Sequence, residues 1–179
     1  MPMLHKITPA IACVFFSSAA ALHIAITGTS QGIGLDAAKR LIKDGHTVYH
    51  ANRNSARSAE AAQAAGGGIP MVCDLASLES VRQFADELAG KELDVLCLNA
   101  GIAPSTKAET AARTADGFEA CIGTNHLGHF LLANLLAPKV ERIVVTASVE
   151  IATATLSSRR RVDGVEGMIQ PWARSAAKI

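Results

Sequence analysis

Short apolar runs alternate along the chain with longer amphipathic segments, and this alternation predicts a regular succession of strands and helices. Five largely apolar runs of five or six residues are predicted to be strands: Leu22–Ile26, Thr47–Ala51, Ile69–Cys73, Leu93–Leu98 and Arg142–Ala147. Between them, apolar residues recur at helical spacing and predict helices over Ile33–Lys43, over Ala56–Ala65, after Ser77 as N-cap, and over Phe118–Leu136.

Strands separated by helices form βαβ units, whose strands pair in parallel with right-handed crossovers. The predicted fold is therefore α/β, a Rossmann-type doubly wound parallel sheet. Because only about five strands are found, we expect this sheet to be incomplete. The last residues break the rhythm and predict an irregular tail. We divide the chain into a segment 1–21, a dinucleotide-binding domain 22–150 and a tail 151–179.

Composition supports a globular chain and excludes some partners. Of the 179 residues, 49% are hydrophobic and only 4% aromatic, as expected for an aliphatic parallel sheet covered on both faces. The formal charge of +1 gives no indication of nucleic-acid binding. The four cysteines lack C-x-x-C spacing and are predicted to be reduced thiols: Cys13, Cys73, Cys97 and Cys121.

The first 21 residues differ in character from the rest. Lys6 precedes an apolar stretch that ends in small residues, a pattern typical of a secretory or plastid targeting segment. The alternatives are an additional N-terminal element or a misplaced start codon. Pro9 and the modest length argue against a stable membrane span. Without targeting, we expect a cytoplasmic protein.

The turn after the first strand has the sequence Thr27-Gly28-Thr29-Ser30-Gln31-Gly32-Ile33-Gly34. Glycines allow a phosphate to approach the backbone, and the following helix offers unpaired N–H groups and a positive dipole end. Loops also need glycine for other reasons, but a position between a strand and a helix favours a pyrophosphate site. The predicted binding residues are Gly28, Ser30, Gln31, Gly32, Ile33 and Gly34.

The end of the second strand indicates which dinucleotide is bound. NAD-binding domains place an acid about 20 residues past the glycines to bind the ribose hydroxyls. Residues 46–54 contain no acid, and Arg53 lies near the strand end. Arginine can pair with a 2′-phosphate through charge-assisted hydrogen bonds, so the predicted cofactor is NADP. The alternative is that Arg53 is an ordinary surface residue.

The G-x-x-x-G-x-G spacing of this turn resembles the short-chain dehydrogenase/reductase family. Further motifs agree with that resemblance, which covers residues 22–150: Asp74-Leu75 after the third strand, and Asn99-Ala100-Gly101 after the fourth. The resemblance implies that Asp74 and Leu75 flank the adenine and that Asn99, Ala100 and Gly101 lie by the ribose. Within the family, residues 124–132 resemble the protochlorophyllide oxidoreductase and retinol dehydrogenase branches.

The same resemblance assigns catalytic roles to Asn125 and Ser148. Asn125 is expected on an apolar helical stripe, where its alternative role is to brace the sheet, and Ser148 follows the fifth strand. The family's Tyr-x-x-x-Lys motif is missing after Ser148, because the only tyrosine is Tyr49. The nearest match there begins at Trp172, whose indole cannot act as an acid.

Two functions follow as hypotheses. The first is an NADP-dependent oxidoreductase that transfers hydride to or from a small carbonyl or C=C substrate. The second, favoured by the missing Tyr and Lys, is an inactive, C-terminally truncated nucleotide-binding or interaction module. Either form could associate as a homo-oligomer through the apolar helix 118–136. No metal site is expected, because His126 and His129 share a helix face without a third ligand.

Overall fold

The computed structural model describes residues 20–103 and 112–147 and forms one parallel sheet. The described part contains five strands in the order β3-β2-β1-β4-β5, as expected for a Rossmann-type α/β fold. All pairings are parallel. The strands are β1 His23–Thr27, β2 Thr47–Asn52, β3 Ile69–Val72, β4 Val95–Leu98 and β5 Arg142–Val145.

Helices connect these strands and begin where local chemistry favours it. They are α1 Gly32–Lys43, α2 Ser55–Ala65, α3 Leu78–Leu88, a π-helix Ile122–Gly128 and α4 His129–Leu136. Ser77 caps α3, as predicted, by accepting a hydrogen bond from the Ser80 N–H at 3.3 Å. Asn54 caps α2 in the same way through the Arg57 N–H at 3.0 Å. The five strands and the first three helices are therefore confirmed, with ends shifted by one or two residues.

Alternating strand side chains enter two separate cores, one on each face of the sheet. Leu96 and Ala25 lie on one face with Phe84 of α3 and Leu132 of α4. Ile24, Ile26 and Val48 lie on the other face with Ala38 of α1. Helices cover both faces, so the sheet is doubly wound, and the carboxyl ends of its strands remain available for a ligand site.

The predicted helix over Phe118–Leu136 is wrong at its beginning. Phe118 lies before the helical stretch, where its N–H donates to the Thr114 hydroxyl and its carbonyl accepts from the Thr114 N–H. The next turns are π-helical, with hydrogen bonds from i to about i+5, so the expected 3.6-residue stripe is not maintained. As a result Asn125 is exposed rather than placed among apolar residues.

The β5 end of the sheet is much less covered than the rest. β5 pairs only with β4 among the described residues, and all its residues are exposed, Val145 at 65%. Within the two described ranges, no helix is long and apolar enough to cross a membrane. The predicted targeting segment and the predicted tail lie outside these ranges, apart from Ala20 and Ala21.

Candidate nucleotide-binding site

A cavity of about 490 Å³ lies at the carboxyl ends of the strands, beside the N-terminus of α1. The structure brings all twelve predicted cofactor-binding residues to its wall: Gly28, Ser30, Gln31, Gly32, Ile33, Gly34, Arg53, Asp74, Leu75, Asn99, Ala100 and Gly101. It adds residues that the sequence analysis did not select, among them Asn52, Arg57, Thr124 and Thr146. This is the edge at which doubly wound sheets hold their ligands.

Two glycines of the turn are required by close approach. Gly28 has a φ of +73°, and a Cβ there would lie 2.8 Å from the Ala100 Cα. A Cβ on Gly34 would collide with the Gly28 carbonyl oxygen and lie 2.6 Å from the Asn99 Nδ2. Since neither position has room for a methyl group, the turn lies directly against β4 and opens its backbone toward the cavity.

The start of α1 is suited to bind an anion. Its N-cap, Gln31, makes no side-chain capping hydrogen bond, and its first turn contains no acid. The first N–H groups of the helix therefore keep their hydrogen-bonding capacity and the positive end of the dipole. Ile33, in this first turn, is 70% exposed. Its exposure is consistent with a residue that contacts a ligand through its backbone.

A hydrogen-bonding hub at Thr27 fixes the start of the turn. The Thr27 Oγ1 accepts the N–H groups of Asn99 and Ala100 at 2.9 and 3.0 Å. It lies 2.9 Å from the Nε2 of the buried His129, whose Nδ1 is 3.1 Å from the Asn125 carbonyl. Burial lowers the pKa of His129. A neutral ring must then donate from Nδ1 and accept the Thr27 proton at Nε2.

Asn99 acts mainly on the protein rather than on the cavity. Its Nδ2 donates to the carbonyls of Thr27 and Gly28 at 3.1 and 3.2 Å. Its Oδ1 accepts the Thr146 hydroxyl at 3.2 Å. The side chain therefore links the ends of β1, β4 and β5, and its contribution to a bound nucleotide would come through the position of the turn.

A second polar network, not foreseen from the sequence, lies under the middle of the turn. The Thr29 N–H donates to the Asn52 Oδ1 at 3.0 Å, and the Asn52 Nδ2 donates to the Thr29 Oγ1 at 2.9 Å. The His50 Nδ1 lies 3.1 Å from the same hydroxyl, and its Nε2 lies 3.0 Å from the Gly67 carbonyl. The detectable signal was a histidine and an asparagine at alternate positions, 50 and 52, near the end of a largely apolar strand.

The cavity wall includes two arginines near the end of β2 and one aspartate after β3. Arg53 follows β2, and Arg57 lies in the first turn of α2; both are exposed. Asp74 follows β3, and its Oδ1 already accepts the Ala76 N–H at 3.0 Å. Arg57 could have been identified from the sequence, because the Asn54 cap places the residue three positions later at the helix start, beside the strand end.

Of the two predicted catalytic residues, Asn125 lies within the described residues and Ser148 does not. Asn125 pairs with the backbone of Ile102, donating to its carbonyl and accepting its N–H, each at 2.8 Å. It does not line the cavity, although its neighbour Thr124 does. Ser148 and Trp172 lie outside the described residues. Tyr49 is buried in β2 and donates to the Glu92 carbonyl at 3.2 Å, away from the cavity wall.

Cysteines and histidines provide no metal centre in the described part of the chain, where no group of three or more such ligands is found. Cys73, Cys97 and Cys121 are free thiols there. Burial raises the pKa of Cys73 to about 12, so this cavity-lining residue is an unreactive thiol. Cys97 is half-buried.

Comparison with known proteins agrees with this geometry. The family model for short chain dehydrogenases matches residues 22–156. The chain belongs to the short-chain dehydrogenase family. It is 42% identical over 149 residues to the chloroplastic protochlorophyllide reductase of Pisum sativum. This alignment covers 75% of the chain but only 37% of the relative, so the chain spans little more than a third of that relative's length.

Among the solved structures with a similar fold are two complexes with dinucleotides. The Brucella melitensis 3-ketoacyl-(acyl-carrier-protein) reductase complexed with NADH gives a TM-score of 0.54 at 27% identity, covering 66% of this chain and 49% of that one. The Pseudomonas aeruginosa RhlG/NADP complex gives 0.62 at 25% identity, covering 80% and 60%. The fold therefore accommodates either dinucleotide, and the choice depends on local residues.

Proposed function

We propose that this chain binds NADPH as the nucleotide-binding part of an oxidoreductase. The main observation behind this proposal is that Arg53 and Arg57 both line the cavity wall near the end of β2. Residues 46–54, which include this end of the strand, contain no acidic residue. A 2′-phosphate carries charge that an acid would repel and that two guanidinium groups would attract. The pyrophosphate would lie on Gly28–Gly34 and the start of α1.

The remaining wall residues would hold the rest of the nucleotide. Asp74 and Leu75 would contact the adenine, with Asn99, Ala100 and Gly101 near the ribose. When bound, NADPH would supply the hydride, and the chain's contribution would be orientation of the nicotinamide. Ser148 and Asn125 are proposed to act near the reacting atoms, and a homo-oligomer through residues 118–136 stays a prediction.

A comparison of nucleotides with arginine variants tests the cofactor proposal. We expect tighter binding of NADPH than of NADH, measured by calorimetry. Arg53→Ala should weaken NADPH about 10- to 100-fold, since hydrogen bonds to charged groups contribute about 1.5–3 kcal/mol. Arg57→Ala should have a smaller effect, and neither should alter NADH binding. Arg40→Ala, an exposed arginine of α1 outside the cavity wall, is the matched control.

Two results would contradict the cofactor proposal. Tighter binding of NADH, or equal weakening of both nucleotides by Arg53→Ala, would contradict an arginine-bound 2′-phosphate.

For the substrate we propose a protochlorophyllide-like tetrapyrrole, on the strength of the identity to the pea enzyme. The assay is NADPH consumption with that pigment, in light and in darkness because the pigment absorbs visible light. The second candidate, a nucleotide-binding module without turnover, is favoured by one observation: the only tyrosine, Tyr49, is buried away from the cavity. Binding of NADPH without consumption would support it.

For the first 21 residues we propose plastid targeting, supported by the chloroplastic name of the relative and by the apolar stretch after Lys6. Fusion of residues 1–21 to a fluorescent protein in a plastid-containing cell tests this. Diffuse cytoplasmic fluorescence or secretion would contradict it.

A further inference from the structure

Strand β2 carries two buried polar side chains directly beneath the nucleotide-binding turn. His50 is fully buried, and Asn52 is 4% exposed. Val48, two residues earlier on the same face, is apolar and belongs to the core under α1. A buried polar group costs free energy unless it is hydrogen-bonded, so an imidazole at this position needs a specific set of partners.

The partners of His50 determine where its proton lies. The Gly67 carbonyl can only accept, so the Nε2 at 3.0 Å must carry the hydrogen. Burial lowers the pKa of His50 and keeps the ring neutral. The Nδ1 is then an acceptor, and the hydrogen in its 3.1 Å contact with the Thr29 Oγ1 comes from the threonine.

Asn52 completes the set of bonds around Thr29. It accepts the Thr29 N–H and donates to the Thr29 Oγ1, whose own hydrogen is directed to His50. Each donor atom in this set has at least one acceptor, and Thr29 is fully buried. The residues on either side, Gly28 and Ser30, line the cavity, whereas Thr29 does not. Thr29 therefore attaches the exposed turn to β2.

We propose that His50 is a positioning residue for the dinucleotide. Through its Nδ1 it accepts the Thr29 hydroxyl proton, so that the hydroxyl oxygen is free to accept the Asn52 amide. These bonds fix the turn in the form that receives the pyrophosphate. The inference rests on the proposed function, because it concerns how that same cavity binds NADPH. It assigns His50 no contact with the nucleotide.

A pair of amide substitutions tests which nitrogen matters. Counted in bonds from the Cα, the Asn amide lies where the His Nδ1 lies, and the Gln amide lies where the Nε2 lies. His50→Asn therefore retains an acceptor for Thr29, whereas His50→Gln retains a donor for Gly67. We expect NADPH affinity within about 3-fold of wild type for His50→Asn and at least about 10-fold weaker for His50→Gln.

Stability controls separate positioning from general destabilisation. Val48→Ala, a buried position on the same strand and face, should lower the melting temperature and leave NADPH affinity within about 2-fold. Thr29→Ser, which retains the hydroxyl, should bind like wild type, and Thr29→Val should bind like His50→Gln. The amide exchange rate of Thr29, measured without nucleotide, should increase only in His50→Gln and Thr29→Val.

The possible failures are distinguishable. If wild type binds NADPH and His50→Gln binds equally well, or if affinity in all variants follows the melting temperature alone, the positioning proposal is overturned while the proposed function stands. If wild type binds neither dinucleotide, the proposed function fails and this inference fails with it.

Discussion

Two threonines flank Gly28, and each donates its hydroxyl proton to a buried neutral histidine, but the two pairs hold different parts of the molecule. Thr27 reaches His129 across 102 positions of sequence, on the helical segment that carries Asn125. Thr29 reaches His50, only 21 positions away, on the neighbouring strand. The first pair joins β1 to β4 and the helix behind it. The second joins the turn to β2.

The difference lies in the groups that each hydroxyl satisfies. Thr27 accepts two backbone N–H groups, those of Asn99 and Ala100, which have fixed positions at the end of β4. Thr29 contacts the side chains of His50 and Asn52, and each of these keeps another partner if the hydroxyl is lost: the Gly67 carbonyl for His50 and the Thr29 N–H for Asn52. The Thr27–His129 pair therefore stabilises the fold, whereas the Thr29–His50 pair fixes the conformation of the glycine turn.

The largest expected effect on nucleotide binding comes from Gly34→Ala. The added methyl group collides with the Gly28 carbonyl and the Asn99 amide, so the turn must move away from β4. We expect NADPH affinity to fall about 100-fold or more and the free energy of unfolding to fall by about 1–3 kcal/mol. Gly90→Ala has open space around it and serves as the control. Unchanged binding in Gly34→Ala would refute the close approach.

Removing each hydroxyl separately tests the comparison itself. Thr27→Val leaves two backbone N–H groups without an acceptor and should cost about 3 kcal/mol of unfolding free energy, whereas Thr29→Val should cost about 1 kcal/mol. Urea denaturation of both variants measures these values. Equal losses of unfolding free energy, or a larger loss for Thr29→Val, would show that Thr27 does not stabilise the fold more than Thr29 does.

Lowering the pH should destabilise the protein, because His50 and His129 become protonated. Burial lowers the pKa of His50 and of His129 relative to the usual value of 6.5, so the unfolded chain takes up more protons as the pH falls through that value. The free energy of unfolding should therefore be greatest above pH 6.5 from this source and decrease below it. Denaturation at pH 7.5 and 5.5 measures the slope, which His50→Asn should reduce. A slope identical in His50→Asn would exclude His50 as a contributor.

The smallest effect is a difference between the NMR signals of the two histidines, and measuring it requires no substitution. The two histidines should be opposite tautomers, with the hydrogen on Nε2 in His50 and on Nδ1 in His129, because their carbonyl partners lie at opposite ring nitrogens. Long-range ¹H–¹⁵N correlation spectra at neutral pH distinguish these forms. The same tautomer at both sites would invalidate one of the two networks.

Much of the architecture followed from local pattern. The apolar runs predicted all five strands, because strands in a parallel sheet that is covered by helices tend to carry consecutive aliphatic residues; this holds even for β5, which is exposed. The glycine spacing predicted the turn because its neighbours leave no room for a Cβ. The helix at residues 118–136 was less predictable, because Phe118 fits a helical stripe in sequence and is held instead by Thr114. A π-helix leaves no comparable periodic signal.

By itself, the sequence determined the α/β class, the order of its elements, the glycine turn and the basic end of β2, since each depends on residues close together in the chain. Only the tertiary structure decided which polar side chains serve that turn. His129 lies 102 positions from Thr27, and His50 lies on the next strand, 21 positions from Thr29. The protonation of both histidines depends on burial and on which carbonyl each ring nitrogen contacts. Such bonds form only once the strands and helices have packed, because only packing removes the competing water.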